Sequence, residues 1–469
     1  MASLPLVLGI PFTLLLISLY PLLVFLTPHS RAALPSEHHY LYTKTTTSGN
    51  GATKTATVKG QEETEEADEP ILSGKLSSVQ EPATVQLSVV IPAYNEETRL
   101  PGMLTETVEY LESVRKAHQP LTSSSISSSS SSSSKNGNGN AQQKAVSEVV
   151  SIQSALQAPL TSYEIVIVDD GSRDKTIAVA LKLARKLGLA EGSGRELRVV
   201  KLEKNRGKGG AVRHGVLHSR GALILFADAD GATRFSDLGM LCAEMDRVRT
   251  PTGHGAVLGS RAHLVGSEAV VKRSFVRNFL MHSFHLFLSI LLRPPSPARL
   301  LRAWNRARAS SLKTAAPLAQ PEIRDTQCGF KLFTRATAQH IFPLAHIDRW
   351  IFDVELLMLA EMASEKTLRS GAGAVKRPSS TTTAKQNGTN NNKKSNGKAA
   401  LEQIHSEGEQ DVLLRLPLPI AEIPVHWAEV SGSKIELLKD SIGMALDLLI
   451  LRANYGIGRW SRPGVVSVE

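Results

Sequence analysis

The chain has 469 residues and a formal charge of +10, from 54 Lys and Arg against 44 Asp and Glu. That length is enough for two or three domains, and a hydrophobic content of 42% excludes a fully disordered chain. Two cysteines exclude both a disulfide framework and a four-thiolate zinc site. The positive charge is local, because residues 269–321 carry nine Lys or Arg and no Asp or Glu. The basicity therefore belongs to one patch and does not indicate nucleic-acid binding along the chain.

The chain opens on an uncharged run, residues 4–27, dominated by Leu, Ile, Val and Phe. It exceeds the roughly 20 residues that cross a hydrocarbon core. It also exceeds the roughly 7–15 of a signal-peptide core, and no Lys or Arg precedes it. Residues 1–30 are therefore expected to form a retained single-pass transmembrane anchor, in which Pro5, Pro11 and Pro21 are tolerable. Arg31, Lys44, Lys54 and Lys59 follow the span, which puts the rest of the chain on the cytosolic side by the positive-inside rule. Residues 31–84 are polar, with an acidic cluster from Glu62 to Glu69, and are expected to form a flexible stalk.

From residue 85 onward, strand and helix patterns alternate. Residues 85–91 are an apolar, β-branched run, and 97–118 have helical spacing. The pattern repeats as 164–169 then 174–187, and as 197–202 then 208–219, and 222–227 is a further buried strand. This predicts an α/β domain over 85–469, built on a Rossmann-like, mostly parallel, doubly wound sheet. Three low-complexity stretches interrupt it, at about 119–159, 293–321 and 366–411, and are expected to be disordered surface insertions.

In such sheets ligands bind beyond the carboxyl ends of the strands. Acidic residues recur there: Glu96 and Glu97 after the first strand, Asp169 and Asp170 after the second, Asp228-Ala229-Asp230 after the fourth. Asp174 reads as a helix cap. Two carboxylates two residues apart at the end of a strand as apolar as Leu223-Ile224-Leu225-Phe226-Ala227 repel one another unless a cation shares them. Mg²⁺ or Mn²⁺ held by carboxylates and diphosphate oxygens suits that geometry. Gly207-Lys208-Gly209-Gly210 is not a Walker A motif, since Gly209 stands where Ser or Thr is required. Its glycines serve either a tight strand–helix turn or the close approach of a ligand to backbone.

Val89-Val90-Ile91-Pro92-Ala93-Tyr94-Asn95-Glu96, Val168-Asp169-Asp170-Gly171-Ser172, Asn205-Arg206-Gly207-Lys208-Gly209 and Asp228-Ala229-Asp230 together resemble the family 2 glycosyltransferases of GT-A fold. Gly259-Ser260-Arg261, the stretch from Arg324-Asp325 through Phe333, and Arg349-Trp350-Ile351-Phe352-Asp353-Val354-Glu355 are similar to the dolichyl-phosphate β-glucosyltransferase branch. The likeness covers the core pieces and the anchor; only the insertions depart from it. It implies transfer of glucose from UDP-glucose to dolichyl phosphate at the endoplasmic reticulum membrane, with a Mg²⁺ or Mn²⁺ cofactor. It implies that Pro92, Tyr94, Glu96 and Ala229 line the nucleotide-sugar pocket, that Asp170 faces uracil and that Lys208 lies beside the nucleotide. Asp228 and Asp230 would hold the metal, Arg261 and Lys331 the phosphates, and Asp325 and Gln327 would flank the reacting centre.

A lipid phosphate has a second pKa of roughly 6, so it attacks as a dianion and requires no general base. Asp325 is therefore expected to position groups, and a single displacement inverts the anomer. The acceptor side is expected on residues 272–292, a basic start followed by an apolar run that suits an interfacial helix, with Arg273 and Arg277 gripping the acceptor phosphate. The run 442–451, interrupted by Asp447, is expected to be a second surface or docking helix. Three rivals remain: a GDP-mannose enzyme of the same kind, a processive polysaccharide synthase, and a membrane-tethered binding protein with a dead transferase fold. The synthase requires several spans and a Gln-x-x-Arg-Trp motif where this chain has Ile347-Asp348-Arg349-Trp350.

Overall fold

Strands with no polar face must be covered on both sides, and the chain provides helices for both. A computed structural model describes residues 20–28, 31–43, 71–117, 139–264, 323–371, 415–430, 432 and 436–466. In chain order its strands are β1 His39–Tyr42, β2 Leu72–Lys75, β3 Val85–Ala93, β4 Tyr163–Asp169, β5 Arg195–Lys201, β6 Gly221–Ala227, β7 Ala256–Ser260, β8 Phe330–Thr334 and β9 Ile420–Pro424. The helices are α1 Leu100–Lys116, α2 Gly139–Leu156, α3 Thr176–Lys186, α4 Lys208–Leu217, α5 Leu238–Val248, α6 Arg335–Ile341, α7 Phe352–Arg369 and α8 Leu437–Gly456.

All these strands join one sheet in the order β2-β1-β5-β4-β3-β6-β8-β7-β9. The four strands read from sequence, β5, β4, β3 and β6, run parallel. Beyond them the sheet is mixed, which corrects the expected mostly parallel arrangement: β8 runs antiparallel to both β6 and β7, and β1 antiparallel to β5. Reversal of β8 has a structural purpose. It begins opposite the end of β6, pairing Phe330 with Ala227, so the loop before it lands on the edge where Asp228 emerges.

Alternate residues of each central strand enter two separate cores. Leu87, Val89, Ile91, Ile165, Ile167 and Val199 meet Leu104 and Leu111 of α1, Leu181 of α3 and Leu241 of α5. Val90, Val166, Val168, Ile224 and Phe226 meet Val212 of α4, Leu359 of α7 and Leu451 of α8. At the amino ends of the strands, Glu164 is fully buried. It accepts from Ser88 Oγ at 2.6 Å, and from the Arg220 backbone N–H at 2.6 Å and Nε at 2.8 Å. Glu164→Ala takes one of two carboxylates from Arg220 and Arg198, which are left to share Glu196. The expected loss is about 3–5 kcal/mol of stability, measured by urea unfolding.

Three segments are more ordered than expected. The stalk contributes β1 and β2 to the sheet, and its end is strapped down: the Arg335 guanidinium donates to the carbonyls of Ser78 and Glu81 and to those of Ser219 and Gly221. The insertion expected over 119–159 ends in α2, which buries Ile152 and Ala155, because its final third carries apolar residues at helical spacing. Helix α7 runs on to Arg369, past the expected start of the third insertion. Among the described residues no helix is long and apolar enough to cross a membrane. Most of the expected anchor, the region of Arg273 and Arg277, and the serine run lie outside the described residues.

Candidate active site

Register carries the strand ends to one edge. Ala93 pairs with Asp169 and Asp169 with Lys201, so the acidic turns after β3, β4 and β6 share a rim. There the Asp228 N–H donates to Gly329 O at 3.0 Å. A Cβ on Gly329 would lie 1.8 Å from Asp228 Oδ2, so glycine is required for the loop before β8 to close on the carboxylate.

Lys208, at the start of α4, sits on Asp228. Its Nζ lies 2.7 Å from Oδ1 and 2.9 Å from Oδ2. Burial works against the ammonium, but Asp228, Asp353 and Asp230 outweigh it and hold the Lys208 pKa above its ordinary value. The ammonium lies 5.4 Å from the Phe226 ring and 5.9 Å from that of Trp350. Gly207, at φ +88°, leads into it, and a Cβ there would meet Asp348 O at 2.6 Å. The glycines of this loop thus serve close packing against the turn before α7. Asp230 accepts from the Ala232 N–H at 3.0 Å. Burial and the neighbouring Asp228 push its carboxyl above the usual range, against the pull of Lys208 and Arg99.

Lys331 was expected at the phosphates. The structure places it beneath the site: it is 1% exposed, 2.8 Å from Asp353 and also donating to Cys328 O. Its charge is committed to Asp353, and it acts on the rim from below. Arg261 is the cation at the mouth. Asp325 grips it twice, Nε to Oδ2 at 2.7 Å and Nη2 to Oδ1 at 2.9 Å, and also accepts the Arg261 backbone N–H. Burial alone would raise the Asp325 carboxyl; Arg261 reverses this and holds it below the ordinary carboxylate value. Glu422 fixes the same turn, accepting the N–H groups of Arg324 and Asp325. Gln327 turns toward α8, its Nε2 3.4 Å from Met444 Sδ.

After β4, Asp170 is 3% exposed and accepts the backbone N–H groups of Arg206 at 2.6 Å and Gly207 at 2.9 Å. It therefore shapes the loop that delivers Lys208. Pro92 and Tyr94 are half-buried where β3 ends, and Ala229 is buried between the two metal-type carboxylates. Glu96 is committed to Arg99, with Nη2 2.5 Å from Oε1. Asp174 lies one residue before the N-cap Lys175 of α3; it accepts the Thr176 N–H at 3.0 Å and the Glu97 N–H at 3.1 Å, tying the helix start to the turn after β3.

Burial pushes the Asp170 carboxyl up to about 7, and its two backbone hydrogen bonds oppose the shift only in part. An acid whose folded pKa lies above the unfolded one favours the folded state when protonated. That contribution is full below the unfolded value near 3.8 and is lost as pH rises through about 7. The stability of the native protein relative to Asp170→Asn is expected to fall over that interval, by on the order of 4 kcal/mol at most. Denaturant melts at pH 4 and pH 8 check it.

Asp228 and Asp230 offer a divalent cation two carboxylates at the end of an apolar strand. Among the described residues no cluster of three His, Cys, Asp or Glu forms a metal cage. The donor set therefore fits a cation that takes its remaining oxygens from a diphosphate and water. Sequence reasoning missed Asp353, the buried partner of Lys331, although it lies in a motif singled out above. It also missed Arg99, whose only signal was its i,i+3 spacing from Glu96.

A family model, "Glycosyl transferase family 2", matches residues 149–273. A "Dolichyl-phosphate beta-glucosyltransferase" of Dictyostelium discoideum is 33% identical, over 80% of this chain and 76% of that protein. The proteins of that name from Homo sapiens and Saccharomyces cerevisiae are 32% and 33% identical, over 86% and 82% of this chain and 82% and 79% of theirs. A solved structure, glucosyl-3-phosphoglycerate synthase from Mycobacterium tuberculosis in complex with Mn²⁺, UDP and glucosyl-3-phosphoglycerate, aligns at 14% identity and a TM-score of 0.33, over 79% of this chain and 80% of that one. With identity of this level sustained over most of both chains, and with the paired carboxylates and their cations gathered at the sheet edge, the chain belongs to the dolichyl-phosphate β-glucosyltransferase family of glycosyltransferases.

Proposed function

We propose that the protein transfers glucose from UDP-glucose to dolichyl phosphate, with inversion, at the cytosolic face of the endoplasmic reticulum membrane. The observation that carries this reading is the convergence of Asp228, Asp230, Lys208 and Asp325-held Arg261 at one rim of the sheet. Displacing UDP builds negative charge on the departing diphosphate, and cations preorganised there lower the barrier. Arg261, locked by Asp325, provides one fixed positive charge, and the ammonium of Lys208, resting on Asp228, provides a second that is not fixed. A divalent ion held by Asp228 and Asp230 would neutralise the leaving diphosphate. No side chain is asked to take a proton, since the attacking phosphate is already ionised. The low pKa of Asp325 and its two-point grip on Arg261 support a positioning role for it.

Exposed Tyr20, Leu22 and Phe25 at the end of the apolar amino-terminal run, with Ile442 and Leu449 on α8, support seating against a membrane. The basic and apolar residues 272–292, with Arg273 and Arg277, would grip the lipid phosphate.

Purified protein incubated with dolichyl phosphate and radiolabelled UDP-glucose should form labelled lipid, and a chelator should abolish it. Label incorporated from GDP-mannose in preference would establish the mannosyl alternative. Asn387-Gly388-Thr389 is a glycosylation sequon that stays unmodified if the domain faces the cytosol; a mass shift on endoglycosidase treatment would reverse the orientation.

A further inference from the structure

Lys208 occupies both oxygens of the carboxylate that a metal needs. Its Nζ bridges Asp228 Oδ1 and Oδ2 at 2.7 and 2.9 Å. The pair is open enough to exchange, with side chains 21% and 30% exposed. While it lasts, Asp230 is the one carboxylate of the two left for a cation, and Arg99, the other positive group acting on it, is engaged with Glu96. With no third acidic or imidazole ligand gathered there among the described residues, a divalent ion alone has little to hold it.

We propose that Lys208 is a built-in place-holder for the divalent cation: its ammonium neutralises Asp228 in the ligand-free protein and moves to the donor diphosphate when the cation takes its place, so that metal and nucleotide bind as a coupled pair. The inference rests on Asp228 and Asp230 being the metal ligands. Charge balance favours the exchange. Two carboxylates with one ammonium leave a net charge of about −1, and adding a divalent ion to that set overshoots to about +1. A diphosphate arriving with the ion restores the balance and gives the displaced ammonium an anion. The site also has a fixed perch for Lys208, between the faces of Phe226 and Trp350 and in the field of buried Asp353. Asp353 already carries the charge of Lys331, 2.8 Å away, which weakens its hold on a released ammonium. A free lysine released from Asp228 therefore has the diphosphate as its next partner.

The test is Mn²⁺ binding by electron paramagnetic resonance on the full chain, with and without UDP and with no acceptor present. In the native protein UDP should tighten Mn²⁺ binding by roughly tenfold or more, a coupling of ordinary allosteric size. Lys208→Met, which keeps length and removes charge, should bind Mn²⁺ without UDP roughly tenfold more tightly than the native protein and lose most of that coupling. Lys208→Gln should behave alike, and Asp228→Asn with Asp230→Asn should remove the signal in every background. If Lys208→Met binds Mn²⁺ no better than the native protein, or if UDP leaves native Mn²⁺ affinity unchanged, the place-holder is overturned while the metal site stands. If no variant binds Mn²⁺ even with UDP, the metal reading itself fails and takes this inference with it. The native coupling measurement needs no substitution, so a variant that fails to fold does not rescue the proposal.

Discussion

Asp228→Ala and Asp230→Ala are each expected to cut synthesis of glucosylated lipid by at least roughly 10²–10³-fold, the size of effect seen when one preorganised stabiliser of developing charge is removed. The two should differ in their secondary consequences. Asp230 is held above its ordinary pKa by burial and by Asp228, so removing it relieves a repulsion and should leave the fold at least as stable. Asp228 is the anion on which Lys208 rests, and its loss leaves that ammonium facing only Asp230 and the Lys331–Asp353 pair. Its variant should therefore be the less stable of the two. Initial rates with labelled donor, alongside urea melts of each variant, check both halves. Near-native rates from the double alanine variant would remove the chemical basis of the assignment.

Asp325→Asn is expected to lower the rate by about 10²-fold while leaving the acidic limb of the pH–rate profile where it was. The side chain has no proton-transfer work to lose: its two oxygens are occupied by Arg261 at 2.7 and 2.9 Å, and that cation holds it ionised. What is lost is the rigid placement of Arg261, which lies 5.6 Å from the Trp427 ring and faces the developing charge only while the fork is held. Most of the deficit should fall on kcat, since a loosened cation still attracts the donor but no longer meets the transition state in a fixed position. Arg261→Lys should reproduce the loss, because a lysine cannot form the two-point grip. An acidic limb displaced or abolished in Asp325→Asn would instead make Asp325 a base.

Much of the site could be read from local pattern. Buried parallel strands are short runs of Val, Ile and Leu, and the residues following them reach the carboxyl edge whatever the helices do between. Asp170, Asp228 and Asp230 stand on that edge by strand pattern alone, and the register of β3, β4 and β6 puts them there; Lys208 was expected near them only through the family resemblance, and it rests on Asp228. The helix expected from residue 97 begins at Leu100, because Glu96 and Glu97 are drawn into the turn by Arg99 and by the Lys175 N–H.

The half of the sheet that was not legible is held by long-range pairing. β7, β8 and β9 are only five residues each and are separated by long insertions, so nothing in the adjacent sequence states that β8 runs backward between β6 and β7. Likewise β1, set in a polar stretch, becomes a strand because the edge of β5 stands open to it, and β2 becomes one by pairing with β1 in turn. Partner choice among charges was hidden for the same reason. Lys331 and Arg261 look alike as cations in a motif, yet Asp353, arriving on α7, draws one into the core, while Asp325 holds the other at the rim. Residue type and period settle which groups reach the edge, since both act over a few positions. Which carboxylate neutralises which cation is decided across the fold, by distances that exist only once the sheet has closed.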